Sequence, residues 1–315
     1  MRVLDHAAVA AALPWPDLVE ALARLFREGD CEAPLRHVHP LPGGDSALLL
    51  MPAWRRGGFS GVKVVQVSPG NAALGLPAVH ATYLLSDAAT GRPLAVLDGG
   101  ELTDRRTAAA SVLAARRLAR ADSARLLLLG SGRVARALAA AYASAFALTD
   151  IAVWSRGGAN AERLARDLAA SGLPARAVAS PDPSGADVVS AATLSEAPLV
   201  RGAEVAPGTH VDLVGAFRPT MREADGALLA RATVVVDTRA GALAEAGDVI
   251  QAIAEGHLAP EAIAADLAGL CRGEHPGRIR PDEITVFKSV GWAGEDLAAA
   301  ALAYGRIAAA DAAAG

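Results

Sequence analysis

Of the 30 basic residues in this 315-residue chain only two are lysine, Lys63 and Lys288; all the others are arginine. Arginine stays protonated under ordinary conditions, whereas a buried lysine amine can shift its pKa into the working range and pass a proton. Lys63 stands in Phe59-Ser60-Gly61-Val62-Lys63-Val64-Val65, an apolar stretch suited to burial, and Lys288 in Val286-Phe287-Lys288-Ser289-Val290-Gly291. A coding bias toward arginine would also leave stray lysines, so the neighbourhood of each has to decide. A second chemical feature is the loop Gly130-Ser131-Gly132-Arg133-Val134-Ala135, which follows the strand-like run Arg125-Leu126-Leu127-Leu128-Leu129 and opens a helical stretch to about Phe146. In that setting the glycines let the backbone approach a pyrophosphate, whose charge meets the helix N-terminus. The next strand ends in Trp154-Ser155-Arg156-Gly157. An NAD site usually has Asp or Glu there for the ribose 2′-hydroxyl. Arg156 can instead pair with a 2′-phosphate and Ser155 can donate a hydrogen bond to it, so NADP(H) is expected as the preferred cofactor with NAD(H) possible.

The elements that must position these groups fall into two kinds. A helix is expected over 15–27 from the spacing of Leu18, Leu22, Leu25 and Phe26, with Pro16 in its first turn. Short apolar runs at 47–51, 62–67, 79–85 and 94–97 are punctuated by Pro42-Gly43-Gly44, Pro69-Gly70-Asn71 and Thr90-Gly91-Arg92-Pro93, which predicts an antiparallel β region. A helix over 102–121 leads out of it. From 125 onward, strands at 125–129, 151–154, 175–179, 187–191, 210–214, 233–236 and 283–287 alternate with helical or loop segments, and a last helix starts at Trp292. That alternation implies a parallel, doubly wound sheet. The expected fold class is therefore α/β, a Rossmann-type sheet over 119–288 beside an α+β substrate-binding and dimerisation domain formed by 1–118 with 289–315.

Composition narrows the partners. A net charge of −4 and the lack of clustered base with interleaved aromatics argue against nucleic acid. Cys31 and Cys271 lie far apart and show neither disulfide nor metal-ligand spacing, which suits a reducing cytoplasm and no metal. The N-terminal Met1-Arg2-Val3-Leu4-Asp5-His6 carries no signal-peptide pattern, and no apolar run approaches a membrane span.

The sequence resembles the ornithine cyclodeaminase/mu-crystallin family along most of its length. The resemblance is carried by Gly61-Val62-Lys63, Pro69-Gly70-Asn71 with Gly75-Leu76-Pro77, Thr90-Gly91-Arg92-Pro93-Leu94-Ala95, Leu102-Thr103-Asp104-Arg105-Arg106-Thr107-Ala108-Ala109, the Gly130 loop, and Val286-Phe287-Lys288-Ser289-Val290-Gly291. It implies a two-domain homodimer whose first domain dimerises and binds substrate. It maps the catalytic lysine onto Lys63 and substrate-carboxylate binding onto Arg36 and Arg106, with Glu245 at a position that can approach substrate. It places Thr107 against the cofactor phosphate and adds Thr193, Val214 and Ser289 to the cofactor contacts already drawn from Gly130, Ser131, Gly132, Arg133, Val134, Ser155 and Arg156. Lys288 is expected to be structural or to act only through its neighbours, and Asp212 to be structural.

The departures from the family pattern choose among its activities. Cyclodeaminases carry an Asp soon after the Val-Gly pair that ends a late strand, but this chain reads Val214-Gly215-Ala216-Phe217-Arg218-Pro219. Phe217 cannot activate an amine or a water. The expected function is thus NAD(P)H-dependent reduction of a small cyclic imino acid, Δ1-pyrroline-2-carboxylate or Δ1-piperideine-2-carboxylate, to proline or pipecolate, with Lys63 as proton donor. Two alternatives stand beside it: an ornithine cyclodeaminase or open-chain amino-acid dehydrogenase, and a non-catalytic NADP-dependent small-molecule-binding protein.

Overall fold

The computed structural model describes residues 1–42 and 46–314; the expected turn at Pro42-Gly43-Gly44 falls in part outside them. The chain divides into two compact units, residues 1–106 with 292–315 and residues 107–291. The break falls inside the helix Gly99–Leu118 rather than after it.

The first unit is built on a seven-stranded sheet in the order Arg2–Leu4, Pro93–Asp98, Val79–Asp87, Phe59–Val67 and Ala47–Arg55, with both Cys31–Glu32 and His37–Pro40 pairing the last. The sheet is antiparallel except for Arg2–Leu4, which runs parallel to Pro93–Asp98 and lay outside the expected strands. Burial alternates along Phe59–Val67, so that Lys63 and Val65 face inward while Val64 and Gln66 face out. Cross-strand register puts Met51, Lys63, Tyr83 and Leu97 in one inward row, and all four are buried. The helices Trp15–Glu28 and Ala293–Ala314 pack on each other, with the Phe26 and Trp292 rings tilted at 32° and their centroids 5.4 Å apart, and the second helix crosses the inward face of the sheet. The helix expected over 102–121 starts earlier, at Gly99, because the Asp98 carboxylate accepts from the Glu101 N–H at 2.7 Å and caps it.

The second unit is an eight-stranded, wholly parallel sheet in the order Ala175–Ala177, Asp150–Trp154, Arg125–Leu129, Val188–Ala191, His210–Leu213, Thr285–Lys288, Thr233–Val236, Ala265–Asp266. Its central strands are buried on both faces, which is why they read as continuous apolar runs. Strand order reverses between Arg125–Leu129 and Val188–Ala191, the place where ligands sit in such sheets. Within the core, Asp212 accepts from Ser190 (2.6 Å), Ser111 (3.0 Å) and Tyr142 (3.2 Å), and burial pushes its pKa from 3.8 up to about 6. Asp212→Ala leaves three buried hydroxyls without their acceptor and should cost about 3–5 kcal/mol, read as a lower urea midpoint at unchanged slope. Among the described residues no helix is long and apolar enough to cross a membrane.

Candidate active site

Each unit assembles one group of the expected site residues. In the first, Lys63 is 1% exposed, an ammonium set into an apolar row of the sheet. Its Nζ donates to Asp296 at 2.8 Å. Asp296 and Glu295 come from the first turn of the helix Ala293–Ala314, where a carboxylate is favoured by the helix dipole. Arg106 donates through Nε to Asp296 at 3.0 Å and through a terminal nitrogen to Glu295 at 2.8 Å. Its neighbour Arg105 turns the other way, bonded to Glu101 and the Leu13 carbonyl and lying over the Trp15 ring. Arg36 is half-buried in the segment between Cys31–Glu32 and His37–Pro40. Burial and the Arg106 and Arg36 guanidinium groups lower the Lys63 pKa from 10.5 to about 8, with Asp296 pulling the other way. Burial is the largest of these influences. A lysine so placed is mostly protonated at neutral pH, yet it releases its proton far more readily than an exposed one.

Tyr83, directly across the ladder from Lys63, is fully buried, and its hydroxyl has no hydrogen-bond partner among the described residues. Its ring lies over Gly61, where any Cβ would collide with it. That close approach is a physical reason for glycine two residues before the lysine. Burial, reinforced by Asp296, keeps the phenol well above its ordinary pKa, so it remains a neutral donor.

In the second unit the cofactor candidates line the carboxyl edge of the parallel sheet. Gly130 follows Arg125–Leu129 with a φ of +119°, and a Cβ there would sit 2.5 Å from the Ala192 carbonyl, so only glycine closes the loop. Ser131 and Gly132 complete it. Gly132 has open space above its Cα and precedes the helix Arg133–Ala145 with no side-chain cap, so the helix N-terminus that opens at Arg133 and Val134 suits an anion. Thr193 follows Val188–Ala191, Val214 follows His210–Leu213, and Ser289 follows Thr285–Lys288 with its N–H on the Leu213 carbonyl at 3.1 Å. Thr107 is buried early in this unit, on the helix Gly99–Leu118. These residues suit a dinucleotide: a glycine loop with free space over it, a helix N-terminus, and polar groups on successive strand ends.

Ser155 and Thr193 turn their hydroxyls to partners within the protein. Ser155 donates its hydroxyl to the Gly157 carbonyl at 2.8 Å, so that donor is spent within its own loop. Arg156 is exposed and pairs with no carboxylate among the described residues. The Thr193 hydroxyl and N–H both go to Glu223, at 2.8 and 2.6 Å. Glu245 is half-buried at the end of the helix Arg239–Glu245. Phe217 packs partly buried against the core of its unit, and Ala216 before it holds a left-handed φ of 49°, an uncommon conformation for a residue with a Cβ. Lys288 is fully buried, paired with Asp248 at 3.1 Å and donating to the Gly215 carbonyl, so internal contacts absorb its charge. Asp296, Glu295 and Tyr83 were not among the expected site residues. The only sequence signal for the acids was a Glu-Asp pair opening an alanine-rich helix.

A dinucleotide-type loop at the reversal point of a doubly wound sheet, with the first unit burying a lysine against a carboxylate and an arginine, defines a two-unit α/β protein of nucleotide-binding type. The chain belongs to the ornithine cyclodeaminase/mu-crystallin family, which it matches over residues 3–311. It is 40% identical over 307 residues to a Δ1-pyrroline-2-carboxylate reductase of Paracoccus denitrificans, covering 94% of each chain. To the ketimine reductase mu-crystallin of Mus musculus it is 34% identical over 310 residues, covering 96% of this chain and 94% of the other. Among solved structures it is similar to a Thermococcus litoralis Δ1-pyrroline-2-carboxylate reductase in complex with NADH and L-proline. There the TM-score is 0.94 at 32% identity, over 99% of this chain and 98% of the other.

Proposed function

We propose that this protein reduces a cyclic ketimine carboxylate, Δ1-pyrroline-2-carboxylate or its six-membered homologue, to the corresponding amino acid. The observation that carries the reading is Lys63, buried 2.8 Å from Asp296 and brought down to a pKa of about 8. A bound nicotinamide dinucleotide supplies the hydride to the carbon of the C=N bond. Lys63 gives its proton to the imine nitrogen, which makes the carbon electrophilic, and regains one from water after release. Arg36 and Arg106 hold the substrate carboxylate, and Glu245 is assigned a place near the substrate ring. Relatives named for reduction of C=N bonds support the same chemistry.

The cofactor contacts are assigned to Thr107, Gly130, Ser131, Gly132, Arg133, Val134, Ser155, Arg156, Thr193, Val214 and Ser289. The exposed, unpaired guanidinium of Arg156 supports a preference for NADPH, and the NADH held by the Thermococcus relative supports acceptance of NADH as well. The outward face of the first unit's sheet, with Trp54 40% and Val64 38% exposed beside half-buried Leu50, Val62 and Leu84, is the surface we assign to a second copy of the chain. Phe217 weighs against ornithine cyclisation, which needs a carboxylate at that point.

The test is oxidation of NADPH and NADH by the purified protein over both cyclic imines and over α-keto acids with ammonia. Turnover with a cyclic imine supports the reading. Ammonia released from ornithine without added reductant, or no oxidation with either imine, overturns it. In the same assay Arg156→Ser is expected to lower the ratio of kcat/KM for NADPH over NADH about tenfold, the loss of one charge-assisted contact to phosphate.

A further inference from the structure

We propose that Asp296 is the positioning residue of this site: its carboxylate, delivered by the first turn of the C-terminal helix, fixes Lys63 and Arg106 at one spacing and keeps the Lys63 nitrogen charged between turnovers. The inference rests on the function proposed above and deepens it. Asp296 is fully buried, and its two contacts, 2.8 Å to Lys63 Nζ and 3.0 Å to Arg106 Nε, tie the proton donor to a carboxylate-binding arginine through one side chain. A residue serving stability alone would need only to neutralise charge. This one sits between the two groups whose separation decides where the imine nitrogen and the carboxylate of one small molecule can lie. Glu295, beside it, takes the other arm of the Arg106 fork and so fixes the plane of the guanidinium.

The groups facing Lys63 come from every element around it. Asp296 and Glu295 lie on the C-terminal helix, Arg106 on the helix Gly99–Leu118, Arg36 on the segment before His37–Pro40, and Tyr83 on the adjoining strand. Of the influences on its protonation, burial, Arg106 and Arg36 disfavour the ammonium, and Asp296 favours it. Removing the Asp296 charge therefore moves the Lys63 titration downward. The reaction needs the ammonium, so the alkaline limb of the kcat/KM profile moves to lower pH with it.

The variant is Asp296→Asn, which keeps the shape, with Asp296→Glu beside it. Two readouts separate this inference from the reading beneath it. The first is the pH profile of NADPH-dependent Δ1-pyrroline-2-carboxylate reduction. In Asp296→Asn its alkaline limb is expected about one unit or more lower, so that activity falls at least tenfold further at high pH than at low, and Asp296→Glu should restore part of the shift. The second is the titration of the Lys63 amine by NMR on lysine-labelled protein, where only two side-chain signals exist, and it needs no turnover. A downward midpoint in Asp296→Asn supports the inference even if the imine proves the wrong substrate. A Lys63 midpoint and a limb both unmoved, with activity lowered equally at every pH, would make Asp296 a structural residue and overturn it. Should Asp296→Asn fail to melt cooperatively, the same two measurements on Asp296→Ser, which also lacks the carboxylate, decide: an unchanged midpoint and limb there sink the proposal.

Discussion

Lys63→Met is expected to lower kcat/KM for ketimine reduction by about 10²–10⁴-fold, the range that a well-placed general acid contributes. Methionine fills a similar volume in the row of Met51, Tyr83 and Leu97 without a titrating group, so the fold should tolerate it. Asp296 keeps Arg106 as a partner in that variant, which limits the loss of stability. Lys63→Arg is the sharper experiment. It preserves the positive charge, but a guanidinium does not give up a proton at working pH, so activity should stay near that of the methionine variant. In the wild type, kcat/KM should fall as pH rises through about 8, because burial has brought the lysine down from 10.5 and the acid form is the active one. Full turnover by Lys63→Arg, or a wild-type profile flat from neutral pH to well above 8, would remove Lys63 from the chemistry.

Arg106→Met should act mainly on stability. It removes the Arg106 contacts from both Glu295 and Asp296, and both carboxylates are fully buried. Breaking a buried pair by removing one partner typically costs 3–5 kcal/mol, since the remaining charge is left uncompensated. For a chain of this size that is a fall in Tm on the order of 10 °C, measurable by calorimetry. Arg106→Lys keeps the charge yet cannot offer two arms at the same spacing, so it should fall between the two. Any enzyme that survives should show a raised KM for the imine acid before a lowered kcat, as expected when a carboxylate contact is lost. A variant that melts with the wild type would mean the carboxylates find other partners, and the network as described would be wrong.

How much of this was legible beforehand differs sharply between the two units. The parallel sheet announced itself because strands buried on both faces must be apolar throughout, and because a loop closing against the Ala192 carbonyl needs glycine at 130. The order of its late strands was not legible. Thr285–Lys288 inserts between His210–Leu213 and Thr233–Val236, a choice made by long-range packing that leaves no local mark. In the first unit the strands were visible by their turns, but the charge network was not. Arg105 and Arg106 are adjacent and alike, and only the direction each takes from the helix separates a surface contact with Trp15 from a buried one with Glu295 and Asp296. Asp296 lies 233 residues from Lys63, in a helix so rich in alanine that its buried face has no amphipathic signature. Small side chains let that helix lie close to the sheet, which is how its first turn reaches the lysine.

One consequence of the arginine bias reaches beyond catalysis. Lys63 and Lys288 are 1% and 0% exposed, so the folded chain shows solvent no lysine amine at all. Acylating reagents, which attack neutral amines, should leave both side chains untouched while the structure stays closed. They should mark them only as fast as local opening admits reagent. The rate at which Lys63 is acylated would therefore serve as a built-in gauge of how often this half of the site breathes, and a bound ligand that closes it should slow the clock.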